Sequence, residues 1–330
     1  MDRVNASIPQ PRTGLLPLSP AAVGTACCAV SAVLYSGANV CMRKLALDCD
    51  PTWALFCKES VTTVVVGPIL LVLAWRGRKI LPPLGTLAVL ALVGLAVEVV
   101  ANLGMQWAFG VVGLAVAIPI DFGALLITSA ILGYLLLDEH VSLRTVAALG
   151  LLLLAVALLG CGAPAASQEV NAAAVPSGLL VALAIALCCL AGVIYATFGA
   201  VARHCMKGST SMGIVMFMTT FMGTVSLGPM SVGRLGLRPL LETPWEQYGW
   251  MFSAGLFNLV AFVAVTKGLQ LIGVVRVQTL NAMQVAIAAM AGVLLFHELP
   301  NPWLVLGVTL TVVGIFLMDG PPGQPVAESL

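Results

Sequence analysis

Long apolar runs alternate along this chain with short polar or Pro/Gly-rich breaks. A helix needs ~20 mostly apolar residues to cross the hydrocarbon core of a bilayer. Runs of that order fall at roughly 21–42, 52–75, 84–107, 112–137, 143–161, 177–202, 210–230, 246–266, 274–296 and 302–318. Several begin with a capping residue followed by proline: Ser19-Pro20, Asp50-Pro51, Thr243-Pro244 and Asn301-Pro302. Proline suits a first helical turn because the N–H it lacks would have no partner there. Thr243 and Glu246 add the spacing of a capping box. The pattern predicts ten transmembrane helices.

Composition fixes the medium. Hydrophobic residues make up 60% of the 330 and charged residues 9%, with a mean hydropathy of +1.06. Soluble domains run nearer ~45–50% apolar and ~25% charged. Too few polar groups exist to cover a water-exposed surface, so the chain reads as an all-α integral membrane protein. The 15 Lys and Arg against 14 Asp and Glu give a net charge of +1, which offers no footprint for nucleic acid. Nine cysteines, mostly inside apolar runs and with no CxxC pair, read as small core residues. His140, His204 and His297 lie far apart, so neither a metal site nor another cofactor is expected. The polar, proline-bearing first 20 residues have no short apolar stretch of the signal-peptide kind.

The cations in the loops set the orientation. With the N-terminus inside, cytoplasmic segments hold nine: Arg3, Arg12, Arg76, Arg78, Lys79, Arg144, Arg203, Lys207 and Lys267. The opposite side holds four: Arg43, Lys44, Arg234 and Arg238. Both termini are therefore expected in the cytoplasm of a multi-pass protein of the cell (plasma or inner) membrane.

Self-comparison finds a repeat. Residues 32–44, AVLYSGANVCMRK, align with 192–204, GVIYATFGAVARH, at an offset of 160, superposing Tyr35 on Tyr195 and Arg43 on Arg203. Gly67-Pro68 meets Gly228-Pro229 at 161, and Leu136 to Glu139 meets Leu295 to Glu298 at 159. At that same 159, Ala148 falls on Gly307 and Ala155 on Gly314. Ordered matches with so little drift argue against chance similarity among Leu/Val/Ala runs. Each unit has an odd number of spans, five, so the second enters from the opposite side. That is an inverted repeat, from which two packings open to opposite sides can be built. The division expected is a 1–20 N-terminal tail, a first repeat over 21–161, a linker over 162–176, a second repeat over 177–318 and a 319–330 tail.

These residues resemble a known family. Leu34-Tyr35-Ser36-Gly37-Ala38-Asn39 late in the first span, Asp50-Pro51-Thr52-Trp53 opening the second, and the repeat ends Glu139 to Ala155 and Glu298 to Gly314 are similar to the EamA-like members of the drug/metabolite transporter superfamily. The likeness covers about 21–318. The chain departs from the family pattern at Lys58, where arginine is usual, and at Ala148, where glycine is usual. The resemblance implies a 5+5 helix arrangement and a transporter, with substrates from amino acids and amines to sugars and nucleotide-linked compounds.

Polar residues inside the spans locate the candidate site. An ionisable side chain at the bilayer centre costs ~2.5–3.5 kcal/mol on insertion scales. Glu98 sits mid-way in the third span, where eleven Leu and Val between 84 and 103 offset that cost. Glu98, Asn102 and Gln106 recur every four residues and share one helix face. Ser31, Tyr35 and Asn39 repeat the spacing in the first span. Asn258, Phe262 and Thr266 overlie the Glu98 face at the offset of 160. Gln278, Asn281 and Gln284 follow at intervals of three in the ninth span, where Asn281 overlies Asp121 of the fourth. One central cavity accounts for these faces. Hydrogen-bonded glue between helices is the other reading for the neutral members; for Glu98 and Asp121 the cost of burial favours function. Lys58 and Glu59, about two turns into the second span, read as snorkelling or paired charges, Arg276 as an anchor that reaches water at the start of the ninth span, and Glu139 and Glu298 as solvated helix termini. Pro68, Pro119 and Pro229 are expected to kink their helices.

The function expected is therefore a secondary transporter, not an enzyme. It moves a small polar or amphiphilic metabolite (amino acid, amine or drug-like) by alternating access, with proton-coupled export among its modes. Its partners are the substrate, protons and the lipid bilayer; monomer or homodimer stays undecided. A nucleotide-sugar or sugar exchanger of the same superfamily is the alternative. A membrane enzyme lacks HExxH, GxSxG and any mid-span histidine, a channel lacks a selectivity motif, and no Walker A sequence is present.

Overall fold

The computed structural model describes residues 19–78, 80–137, 143–170, 177–208, 210–298 and 301–318. Among them there is no strand. The principal helices are α1 (Pro20–Leu45), α2 (Pro51–Trp75), α3 (Leu84–Val112), α4 (Leu114–Leu137) and α5 (Leu143–Val170). They continue with α6 (Gly178–Lys207), α7 (Met212–Leu235), α8 (Trp245–Leu271), α9 (Val274–Phe296) and α10 (Pro302–Met318). A short turn of helix, Leu237–Leu241, joins α7 to α8. Among the described residues, eight helices are long and apolar enough to cross a membrane, namely α1 to α4 and α6 to α9. In α5 and α10 the apolar stretches are shorter, Val146–Leu159 and Pro302–Gly314.

Local chemistry explains most boundaries. Ser19 accepts from Ala22 N, Asp50 from Thr52 N and Trp53 N, and Asn301 from Leu304 N at 2.8 Å, each before a proline at the helix start. Thr243 does not cap α8. Its hydroxyl donates to Leu240 O and accepts from Trp53 Nε1, so it ties α8's approach to α2 instead. Pro68, Pro119 and Pro229 lie inside α2, α4 and α7. The expected linker over 162–176 is helical as far as Val170, so α5 runs on through Gly162 and Pro164 into an Ala-rich stretch. Its remainder, the 1–18 and 319–330 tails, and Glu139 lie outside the described residues.

The helices pair in a way that recurs between counterparts. α1 lies along α8, and α6 along α3; α4 packs on α6, and α9 on α1. Likewise α2 meets α7, and α5 meets α10. In lipid, close approach of backbones rather than hydrophobic exclusion drives helix association, so small residues sit at crossings. A Cβ on Gly192 would lie 2.3 Å from Asp121 O, and one on Gly255 2.7 Å from Lys58 O.

One tie contradicts the reading of Glu298 as a solvated terminus and of Arg43 as a loop charge. Both are buried, and Arg43 Nε lies 3.2 Å from Glu298 Oε1. The same carboxylate accepts from Leu114 N at 3.1 Å and Ala115 N at 3.0 Å, at the start of α4. Unpaired N–H groups and the positive end of the helix dipole make that terminus a good seat for an anion. Arg43 also lies over the Phe296 ring, 5.1 Å from its centroid. Gly113, at φ +79°, and Gly292 leave room: a Cβ on either would fall 2.5–2.6 Å from the Glu298 carboxylate.

Candidate functional site

Two departures from regular helix mark the centre of the molecule. In α3, Val97–Asn102 forms a π turn, with Leu103 N bonded back five residues to Glu98 O. In α9, the helix stops at Asn281 and resumes at Gln284, with Ala282 and Met283 between. The turn at Ala282–Met283 keeps right-handed dihedrals but closes with i→i−3 bonds, and π and 3₁₀ turns inside a helix are concentrated at functional positions.

Between them lies a cavity of about 180 Å³. All ten residues predicted from the sequence line it: Tyr35 and Asn39 on α1, Glu98, Asn102 and Gln106 on α3, Asp121 on α4, Asn258 on α8, and Gln278, Asn281 and Gln284 on α9. Phe262 lines it too, whereas Ser31 and Thr266 are buried elsewhere. Arg276 is half-buried and does not line the cavity, and its Nε has no hydrogen-bond partner among the described residues.

Three lining groups escaped the sequence reading. Lys58 and Glu59 are buried and line the cavity, with Nζ 2.8 Å from Oε1. Their position two turns into α2 suggested snorkelling or pairing with other charges; they do pair, but inside the cavity, where Gly255 lets α8 approach the Lys58 backbone. Tyr195, the repeat counterpart of Tyr35, is the third; that alignment was the signal that could have found it.

Hydrogen bonds divide the polar wall into parts. Tyr195 OH donates to Asn102 Oδ1 at 2.5 Å, and Asn102 Nδ2 donates to Glu98 Oε2 at 2.7 Å. Gln106 Nε2 donates to Met42 O at 3.0 Å, and Asn39 Nδ2 to Gln284 Oε1 at 3.3 Å. Lys58 and Glu59 are the charged groups acting on Glu98. Gly223 on α7 gives Glu98 its space, since a Cβ there would lie 2.9 Å from Glu98 Cγ. Glu59 Oε2, Gln106 Oε1, Asp121 Oδ1 and Asn281 Oδ1 are buried with no hydrogen-bond partner among the described residues. Buried polar atoms are normally satisfied, and leaving one unmade costs ~1–3 kcal/mol. Four in one cavity, with apolar walls from Phe109, Phe122, Phe198 and Phe262, are suited to a small ligand that is polar at one end.

A multi-span helical membrane protein built around one buried polar cavity is the class these observations define. The family model of the EamA-like transporter family matches the chain twice, over residues 22–161 and 182–318. The chain therefore belongs to the EamA-like transporter family, in keeping with the drug/metabolite transporter superfamily, and is a membrane transporter of that type. All four ionisable Lys, Asp and Glu side chains of the cavity fall in the first match. It is also similar in fold to a solved structure described only as "Crystal structure of protein", at a TM-score of 0.61 and 14% identity, covering 90% of this chain and 96% of the other. Comparison with curated proteins gives no match.

Proposed function

We propose that the protein is a secondary carrier for a small polar or amphiphilic metabolite bearing a cationic group, an amine, amino acid or drug-like cation. It works by alternating access between two inverted five-helix halves, with α5 and α10 completing ten spans and both termini in the cytoplasm of the cell membrane. The observation that carries the substrate class is the charge balance of the cavity. Lys58 is its one Lys or Arg among the described residues, already paired with Glu59, while Glu98 and Asp121 add two further carboxyls. A cation supplies what the walls lack. A nucleotide-linked sugar would bring phosphates against those same carboxyls, so the cavity weighs against that alternative. The recurrence of each helix pairing between counterparts supports the inverted repeat.

The test uses purified protein in liposomes and a panel of radiolabelled amines, amino acids, nucleosides and sugars. Saturable uptake of a cationic member, accelerated by the same compound preloaded inside, is expected. Conductance at single-channel rates, or counterflow confined to anionic sugars, would overturn the reading.

A further inference from the structure

Asp121 differs from every other acid of the cavity in having no basic group to answer it. Its side chain is 4% exposed and lines the cavity, and Oδ1 has no hydrogen-bond partner among the described residues. Around it, α6 contributes the Cys188 and Cys189 thiols and the Tyr195 phenol, all within electrostatic range. The α9 residues Gln278 and Asn281 are neutral amides, and Glu98 on α3 is a second carboxyl. The nearby cations are committed: Lys58 on α2 to Glu59, Arg43 on α1 to Glu298. Arg276 of α9 does not line the cavity, and Arg144 opens α5 on an exposed turn.

An isolated carboxylate in a low-dielectric interior is disfavoured, and the group takes a proton or finds a cation. Asp121 has no cation of the protein's own. It is neutral either as the acid or as one half of a pair with a bound ammonium group, and the two occupants exclude each other. We propose that Asp121 is the exchange residue, the carboxyl at which a proton and the substrate's cationic group compete. This rests on the cationic-substrate reading above and adds the counter-ion and its site. An ammonium ion entering the cavity displaces the acid proton to water; the carboxylate then pairs with the ammonium, and the site's net charge is unchanged. On the far side a proton returns and the cation leaves, so transport is proton/cation exchange. Glu98 is a positioning residue in this scheme, since its carboxylate already accepts from Asn102, which Tyr195 holds in turn.

The probe is benzylamine, a primary ammonium ion with a ring to lie against Phe198 and Phe262. Calorimetry on the purified full chain, in buffers of differing ionisation enthalpy, counts protons released per benzylamine bound. About one proton is expected. Affinity should fall about tenfold for each pH unit below the carboxyl's titration point, as competition requires. Asp121→Asn should lose binding and release while melting near the wild-type temperature, and Asp121→Glu should regain proton release. Binding without proton release, or unchanged release in Asp121→Asn, overturns the exchange role and leaves the cation carrier standing. Failure of wild type to bind benzylamine, with no amine transported in liposomes, overturns the cationic-substrate reading itself. The wild-type proton count decides the matter even where a variant fails to fold.

Discussion

Arg43 Nε and Glu298 Oε1 stand 3.2 Å apart, joining the end of α1 to the turn after α9. Glu298 also holds the first two N–H groups of α4, so three helices meet on one carboxylate. Removing one member of a buried pair leaves the other's charge uncompensated and costs ~3–5 kcal/mol. Glu298→Ala is expected to lose that order of stability, and Arg43→Met/Glu298→Gln less than the sum of its single changes. Reversible unfolding in detergent, run as a double-mutant cycle, measures it; additive effects would mean that the pair is not coupled.

Gly113 should be nearly as sensitive. It sits at φ +79°, ψ 173°, a region that side-chain-bearing residues rarely enter, at a cost of order 1–3 kcal/mol. Gly113→Ala adds a Cβ 2.6 Å from the Glu298 carboxylate, so it should destabilise the fold by about that much. Combined with Glu298→Ala, the change should hurt less than it does alone, since the clash is then removed.

Lys58→Met would leave Glu59 and Glu98 facing one cavity without their cation. A loss of about 1.5–3 kcal/mol, the range for hydrogen bonds to charged groups, is expected. Adding Glu59→Gln should recover much of it. Melting temperatures of the three variants give the comparison, and an equally unstable double variant would count against the pairing.

Glu98→Gln should abolish transport or shift its pH profile, measured in vesicles across a pH series. Gly223→Ala, which pushes a methyl group to 2.9 Å from Glu98 Cγ, should reduce transport several-fold while leaving the Glu98 carboxyl in place. Wild-type rates for both at every pH would remove Glu98 from the mechanism.

Cys49, in the turn between α1 and α2, reports on orientation. Burial, then the charges of Asp48 and Asp50, push its thiol up to about 11. Because the thiolate is the nucleophile, alkylation should be slow at pH 7 and rise about tenfold per pH unit until the titration point. With the other cysteines replaced, an impermeant maleimide should reach it from outside intact cells at pH 9. Labelling only after the cells are opened would invert the proposed topology.

The cavity was legible where the signal was local. A Glu, Asn or Gln inside a run of Leu and Val declares itself by its cost in lipid, and periods of three and four put such residues on one face. Glu298 was misread because its partners are remote: Arg43 is 255 residues away and Leu114 184. Near a span end, a lone acid looks solvated until the fold brings a helix N-terminus to it. The π turn at Val97–Asn102 and the break at Ala282–Met283 were hidden because amides at helical spacing imply an unbroken helix. Neither segment holds a proline, the residue that announces most kinks.

The placement of Lys58, Glu59, Glu98 and Asp121 in one repeat has a consequence for energetics. In a cycle that rocks one repeat against the other, the charge of the site travels with a single body, while the amides of the second repeat are electrically silent. A membrane voltage does work on a moving charge, ~2.3 kcal/mol per elementary charge per 100 mV if the whole potential is crossed. On the proposed alternating-access cycle, inward- and outward-open forms would thus be unequal in an energised cell, with the resting direction set by where the first repeat carries those four side chains.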